Sequence, residues 1–217
     1  MKNLDQRNQI IEHSLKLNST NLSPLRSGNI SLRVEQDNIQ GYLITPSGKK
    51  YETLKPEDIV FMGLNEEKEK NSTNKPSSEW RFHRDIYVNK KEAQAIVHTH
   101  SPHATAVSSH RKSIPPFHYM IALAGGDDIK CAEYATFGTE ELSKNVIKAL
   151  ENRSACLMSN HGQVAFDESL DKAFELAQEV ENICHQYINA LKIGNPMILS
   201  DEEMSTILKQ INSYKKN

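Results

Sequence analysis

The sequence has few cysteines and no long hydrophobic run. Its three cysteines, Cys131, Cys156 and Cys184, lie far apart and form no CxxC pair. An odd number of distant cysteines argues against a disulfide framework and favours a reducing compartment. The N-terminal residues carry charges throughout, and no segment approaches the roughly 18 apolar residues of a membrane span. We therefore expect a cytoplasmic protein with no membrane segment.

An excess of charge of either sign is also lacking. The 217 residues include 26 Lys and Arg against 28 Asp and Glu, a formal net charge of -2, and no large basic block. This balance predicts neither a nucleic-acid partner nor a membrane-surface helix. Hydrophobic residues make up 37% and charged residues 25% of the chain, as in an ordinary globular protein. The length suits one domain of the larger sort, and we predict a single domain over residues 1–217.

Hydrophobic periodicity predicts strands in the middle of the chain and helices around them. Helices are predicted over residues 4–17, from Ser77 or Ser78 onward, over residues 169–191, and from the capping box that begins at Ser200. Strands are predicted within residues 27–51, over residues 58–64 and 93–100, and over residues 155–166 with a break at Gly162. The polar segment 65–75 is predicted to be an exposed loop. This order favours a three-layer α/β/α or an α+β domain.

Two histidines lie one residue apart in the apolar stretch AIVHTH. Side chains alternate between faces in an extended strand, so His98 and His100 point the same way and could bind one metal ion. A solvated pair at a strand end is the simpler interpretation of these two residues alone. Glu79 and His161 would complete a set of three nitrogen donors and one oxygen donor suited to a zinc-like ion, although such separations also occur by chance.

Three small-residue segments could bind a phosphate group: 27–29 (SGN), 46–48 (PSG) and 77–78 (SS). Their backbone N–H groups and hydroxyls, and the start of the predicted helix, favour an anion. Each segment alone is more often only a turn or a helix cap. Because Glu79 directly follows the serine pair, one phosphorylated ligand could contact both the phosphate segments and a metal ion.

Seven motifs resemble the class II aldolase family in their order and spacing: GNISLR, LITPSG, KPSSEWRFH, AIVHTH, SIPPFHYMIALAGG, YATFGTEEL and SNHG. They cover nearly the whole chain and are most similar to the branch that acts on L-fuculose 1-phosphate. The resemblance implies a three-layer α/β/α domain with a central, mainly antiparallel sheet, one zinc ion per subunit, and a homotetramer with active sites between neighbouring subunits. It also implies a class II aldehyde-lyase that cleaves a ketose 1-phosphate into dihydroxyacetone phosphate and a small aldehyde.

The functional residues of the family fall on matching positions of this sequence. The implied zinc ligands are Glu79, His98, His100 and His161, and Glu79 is also the implied proton carrier. The implied phosphate-binding residues are Gly28, Asn29, Ser47, Gly48, Ser77 and Ser78. Tyr119 matches a tyrosine that acts on the aldehyde from the adjacent subunit, Phe137 an apolar wall residue, and Tyr214 a tyrosine of the C-terminal segment.

Two departures from the family pattern leave the substrate open. Arg26 stands where the fuculose branch has a threonine, and its guanidinium could pair with phosphate or face solvent. Ile211 stands where an aromatic residue is expected, in a segment that helps to enclose the aldehyde. A methylthioribulose-1-phosphate dehydratase, or an aldolase for a methylthio- or deoxypentulose phosphate, therefore stays possible.

Two further alternatives are disfavoured by the residues themselves. A ribulose-phosphate 4-epimerase has an aspartate at the position of Glu79. A non-catalytic module like the adducin head has lost the metal ligands, whereas all four ligand positions and Tyr119 are filled here.

Overall fold

A mixed β-sheet forms the middle of the molecule. The computed structural model describes residues 1–65 and 74–214, with the side chains of Asn212 and Tyr214 left out. The strands of this part of the chain are β1 (Asn29–Gln36), β2 (Ile39–Ile44), β3 (Val60–Gly63), β4 (Ala95–Thr99), β5 (Cys131–Ala132), β6 (Ala155–Met158) and β7 (Gly162–Asp167). They lie in the order β3-β2-β1-β4-β7-β6-β5. Neighbouring strands are antiparallel except β5 and β6, so the predicted mainly antiparallel sheet is confirmed.

Helices cover both faces of this sheet. They are α1 (Leu4–Ser19), α2 (Trp80–Asn89), α3 (Pro102–Ser108), α4 (Glu140–Ala149), α5 (Leu170–Ile193) and α6 (Asp201–Tyr214), with short 3-10 helices at Tyr51–Thr53, Pro56–Asp58 and Tyr119–Ala124. One hydrophobic core joins the sheet to α1, α3, α5 and α6, and a second core joins the other face to α2 and α4. The α/β/α layering is therefore confirmed. Among the described helices, none is both long and apolar enough to span a membrane.

Strand β4 lies near the centre of the sheet and is buried on both faces. Its side chains alternate as a strand requires: Ala95 and Val97 belong to the first core, and Ile96 belongs to the second. His98 continues the face of Ile96 and contacts Phe82 of α2, with ring centroids 5.4 Å apart. The first histidine of the AIVHTH motif therefore leaves the sheet on the side of α2.

The helix predicted to begin at Ser77 or Ser78 begins later, at Trp80. The backbone N–H of Ser77 donates to the carbonyl oxygen of Thr45 at 3.0 Å, which ties this residue to the chain beyond β2. The hydroxyl of Ser77 accepts from the N–H of Glu79 at 3.3 Å. The serine pair therefore forms a turn in front of the helix, and Glu79 occupies the N-cap position.

The predicted break at Gly162 was also wrong in position. Residues 159–161 make the turn between β6 and β7, with Asn160 in the left-handed region at φ 54°, and Gly162 is the first residue of β7. A Cβ atom at Gly162 would lie only 2.2 Å from the carbonyl oxygen of Thr99. Glycine here lets the turn approach the end of β4, which brings His161 beside His98 and His100.

Other element predictions need only small changes. The opening helix, the β1–β2 pair and the long helix over residues 169–191 are confirmed to within a few residues. The capping box of α6 is present, since the N–H of Ser200 donates to Glu203 at 2.7 Å and the N–H of Glu203 donates to Ser200 at 3.2 Å. Of the predicted loop 65–75, residues 66–73 lie outside the described residues, and Asn65 and Lys75 are exposed.

Candidate metal centre

The structure brings together the four side chains that the sequence marks as metal ligands. Glu79 comes from the N-cap of α2, His98 from β4, His100 from the residue after it, and His161 from the β6–β7 turn. One donor atom from each lies within 4.8 Å of the others. The Nε2 atoms of His98 and His100 are 3.0 Å apart, and Nε2 of His98 is 3.1 Å from Oε2 of Glu79. The four side chains thus face one point.

Strand pairing and a close backbone approach fix these positions. Asn29 of β1 pairs with His98 of β4 in the antiparallel register, and Thr99 pairs with Gln163 of β7. A Cβ atom at Gly28 would lie 2.6 Å from the carbonyl oxygen of His98, so a larger residue would push β1 and β4 apart. The side chains of the site therefore project from a backbone that the close packing of β1, β4 and β7 holds in place.

Hydrogen bonding and burial prepare the imidazoles for a metal ion. Nδ1 of His98 lies 2.8 Å from the carbonyl oxygen of Gln163. Because a carbonyl only accepts, Nδ1 carries the proton and the lone pair of Nε2 points into the site. Burial, together with the neighbouring imidazoles of His98 and His161, lowers the pKa of His100 to about 3. The ring of His100 is therefore neutral, which is the form that binds metals.

Glu79 is held as a carboxylate although it is buried. Burial alone would raise its pKa, but the neighbouring imidazoles of His98 and His161 hold the pKa well below its ordinary value. Oε1 of Glu79 is buried and receives no hydrogen bond from the described residues, although Nε2 of His161 lies 3.1 Å away. The site thus offers three imidazole nitrogens and one carboxylate, and one oxygen of that carboxylate is buried without a hydrogen bond from the described residues. These donors fit a divalent ion of the zinc type.

A cleft of about 370 Å³ opens beside the four side chains. Of the sequence-predicted residues, Ser78, Glu79, His100, Phe137 and His161 line it. Ser27 of the predicted SGN segment also lines it, as do Tyr134 and Asn160, for which the sequence predicted no role. The place of Asn160 directly before His161 in the SNHG motif is the sequence signal that could have identified it.

The predicted phosphate segments use some of their backbone donors within the protein. The N–H of Ser47 donates to the carbonyl oxygen of Lys75 at 3.0 Å, and that of Ser77 donates to Thr45. At these two positions the hydroxyl, and not the N–H, remains as a donor for a ligand. Gly48 is exposed at φ 76°, and Nη1 of Arg26 donates to its carbonyl oxygen at 3.0 Å. Arg26 therefore bridges the SGN and PSG segments.

Two other predicted residues, Tyr119 and Ile211, do not line the cleft of the single chain. Tyr119 begins the 3-10 helix Tyr119–Ala124, is 52% exposed and does not line the cleft. Ile211 of α6 packs against the first core. The side chain of Tyr214 lies outside the described residues. Within one chain, the metal ligands and part of the phosphate segments are therefore brought together, and Tyr119 and Ile211 are not.

Comparison with known proteins identifies the family of this chain. The chain matches the family model Class II Aldolase and Adducin N-terminal domain over residues 8–188, and it belongs to that family. It is 45% identical over 207 residues to the L-fuculose phosphate aldolase of Escherichia coli strain K12, covering 95% of this chain and 94% of the relative. It is 42% identical over 211 residues to the 5-methylthioribulose-1-phosphate/5-deoxyribulose-1-phosphate aldolase of Rhodospirillum rubrum, covering 97% and 93%.

The solved structure of an L-fuculose 1-phosphate aldolase superposes with a TM-score of 0.91, at 37% identity and over 98% of both chains. The predicted fold class is therefore confirmed. The protein is an enzyme of the class II, metal-dependent aldolases, and thus a lyase. The two relatives are both named as aldolases, but for different ketose phosphates. The comparisons therefore identify the class of reaction and leave the substrate open.

Proposed function

We propose that this protein is a zinc-dependent aldolase that reversibly cleaves L-fuculose 1-phosphate into dihydroxyacetone phosphate and L-lactaldehyde. The observation that carries this proposal is the convergence of Glu79 and three histidines in a cleft that Ser27 and Ser78 also line. A phosphate bound at these serines would place the neighbouring carbons of a ketose beside the metal ligands. The similarity to the Escherichia coli relative supports L-fuculose 1-phosphate as the substrate.

Glu79, His98, His100 and His161 would hold the zinc ion. When bound, the ion supplies a Lewis acid for the negative charge that develops on the substrate oxygens. Cleavage breaks the bond between C3 and C4 of the ketose: the C4 hydroxyl loses its proton to become the aldehyde, and C3 takes up a proton. Glu79, a buried carboxylate in the cleft, carries the proton at C3.

Residues outside the ligand set would bind the two ends of the substrate. Gly28, Asn29, Ser47, Gly48, Ser77 and Ser78 would surround the phosphate, and Phe137 would contact the aldehyde half. Tyr119 lies away from the cleft of its own chain, so it would reach the aldehyde oxygen of a neighbouring subunit in a homotetramer. Ile211 and Tyr214 would help to enclose that half. We place this enzyme, as a single domain over residues 1–217, in the cytoplasm and in sugar-phosphate metabolism.

A second candidate is the cleavage of 5-methylthioribulose or 5-deoxyribulose 1-phosphate. The relative from Rhodospirillum rubrum, named for these substrates, is nearly as similar to this chain as the fuculose enzyme. Arg26 and Ile211 are two positions near the proposed substrate at which this chain departs from the fuculose branch. Both candidates share the same metal site and release dihydroxyacetone phosphate, so they differ only in the aldehyde half.

Substrate choice is tested by measuring release of dihydroxyacetone phosphate from each ketose phosphate. We expect kcat/KM for L-fuculose 1-phosphate to exceed that for 5-deoxyribulose 1-phosphate by about 100-fold, because a site that hydrogen-bonds a substrate hydroxyl discriminates against its absence. A chelator should abolish release, and added zinc should restore it. A reversed preference would assign the second candidate, and no release from any ketose 1-phosphate by the zinc-loaded protein would contradict the proposed reaction.

Arg26 offers a separate test of phosphate binding. Its side chain reaches the PSG segment at Gly48, so its guanidinium is placed to pair with a phosphate between the two segments. We expect Arg26→Thr to raise KM about 10- to 100-fold with little change in kcat, since a charge-assisted hydrogen bond contributes about 1.5–3 kcal/mol. Lys50→Thr, which removes an exposed cation from the next loop, is the matched control. An unchanged KM in Arg26→Thr would show that the guanidinium does not bind the phosphate and only donates its hydrogen bond to Gly48.

A further inference from the structure

A chain of buried polar side chains runs from the metal site into the second core. It joins Glu79, His83 and Tyr87 of the α2 region, spaced four residues apart, to Asn29 and Ser31 of β1, spaced two residues apart. These spacings place each group on one face of its element. Asn29, Ser31, His83 and Tyr87 are each at most 3% exposed. Solvent therefore cannot replace the hydrogen bonds of this chain.

Each link has hydrogen-bond length. Nδ2 of Asn29 donates to Oε2 of Glu79 at 2.9 Å, and Oδ1 of Asn29 lies 2.5 Å from Nε2 of His83. Nδ1 of His83 lies 2.7 Å from the hydroxyl of Ser31, which lies 2.8 Å from the hydroxyl of Tyr87. The chain thus contains four consecutive hydrogen bonds.

The chemistry of the groups allows only one direction of donation. A carboxylate accepts and does not donate, so Asn29 must turn its NH2 group toward Glu79 and its carbonyl oxygen toward His83. That oxygen also only accepts, so Nε2 of His83 must carry the proton. Because burial lowers the pKa of His83 to about 3, the ring is neutral and Nδ1 accepts. Ser31 therefore donates to His83, and Tyr87 donates to Ser31.

The far end of the chain is fixed by packing. The guanidinium of Arg33 lies over the ring of Tyr87, 4.8 Å from its centroid, and also donates to the carbonyl oxygen of Tyr87 at 2.7 Å. The ring of Tyr42 lies 5.3 Å from that of Tyr87. These contacts restrict rotation of the Tyr87 side chain. The hydroxyl of Tyr87 therefore keeps its hydrogen bond to Ser31, and Ser31 keeps its hydrogen bond to His83. Rigid support of this kind sets the precision of a catalytic group.

We propose that His83 is a positioning residue for the aldolase reaction: its Nε2–H holds the amide of Asn29 in the one orientation that fixes the Glu79 carboxylate. This inference rests on the proposed function, in which Glu79 carries the proton. His83 itself contacts neither substrate nor metal in this arrangement. Asn29 occupies Oε2 of Glu79, and Oε1, which receives no hydrogen bond from the described residues, is left for the reaction.

The tautomer of His83 is the first test, and it is independent of activity. In the zinc-loaded protein labelled with ¹⁵N-histidine, long-range ¹H–¹⁵N correlation spectra should show His83 as a neutral ring protonated at Nε2. His83→Gln identifies the resonance by its loss. A ring protonated at Nδ1, or a charged ring, would reverse the direction of donation and overturn the proposal.

Kinetics on paired variants form the second test. His83→Leu should lower kcat by about 10- to 100-fold, as loss of such supporting hydrogen bonds does, with KM within about twofold and zinc content unchanged. His83→Gln keeps an N–H near Asn29 and should recover most of kcat. The matched control is His13→Leu, the same change at a buried histidine of the first core, which bonds to Gln9 and Asp171. It should lower the melting temperature without lowering kcat.

Several outcomes would contradict the positioning role. Equal losses in His83→Leu and His83→Gln, or a kcat loss in His13→Leu as large as that in His83→Leu, would show that His83 acts through stability alone. If His83→Leu does not fold, Ser31→Ala keeps the ring and removes the donor to Nδ1, and an unchanged kcat there would overturn the proposal. If the wild-type protein cleaves no ketose phosphate, the proposed function fails, while the tautomer still decides whether His83 orients Asn29.

Discussion

His161→Ala is expected to remove the bound metal and to abolish cleavage of the ketose phosphate while leaving a folded protein. His161 lies in the β6–β7 turn, outside both hydrophobic cores, so its truncation creates no core cavity. It is one of the four proposed metal donors, and without the ion the charge that develops on the substrate would lose several kcal/mol of stabilisation. We therefore expect a loss in kcat/KM of at least about 1,000-fold.

Metal content, circular dichroism and activity should be measured on the same preparation. His110→Ala, which truncates an exposed histidine just beyond α3, is the matched control and should keep both zinc and activity. A metal-free His161→Ala protein with full activity would refute the metal-dependent mechanism. An unfolded variant would instead show that the turn needs its metal ion for stability, and His100→Ala would then be the variant to compare.

The ligand set could be predicted from the sequence because it depends on local geometry. The alternation of β4 places His98 and His100 on the same side, and no other element has to be positioned to see this. That Glu79 and His161 join them follows from strand register and from the close approach of Gly162 to Thr99, which are contacts between distant residues. The residue types offered these two as candidates, and the family resemblance implied that both are ligands.

The errors came from tertiary contacts that local rules do not contain. Two serines before a helical pattern favour an N-cap, but Ser77 is held by a bond from its N–H to Thr45, and the helix begins at Trp80 with Glu79 as its N-cap. A glycine in a polar stretch favours a turn, but Gly162 begins β7, and glycine is required there because a side chain would collide with Thr99. The hydrogen bond from Asn29 to Glu79 was missed for the same reason, since it joins residues 50 positions apart.

The second large effect is expected for Glu79→Gln. An amide has nearly the shape of the carboxylate but cannot carry a proton at neutral pH, so the variant should no longer exchange the C3 proton of dihydroxyacetone phosphate with solvent. General acid–base groups contribute about 100- to 10,000-fold, and we expect exchange and cleavage to fall together within that range. The N–H of Asn29 can still donate to the amide oxygen of the glutamine, so the position of the side chain should be preserved.

Zinc content separates the two roles of Glu79 as ligand and as proton carrier. The three histidines remain in Glu79→Gln, and three protein ligands suffice for a catalytic zinc ion, so the variant should still bind zinc. Deuterium uptake by dihydroxyacetone phosphate then reports on the proton carrier alone, with Glu175→Gln on the exposed side of α5 as the matched control. Unchanged uptake in a zinc-loaded Glu79→Gln protein would assign the base to another group. Lost uptake with zinc retained would mean that the buried carboxylate does chemistry that the metal ion cannot replace.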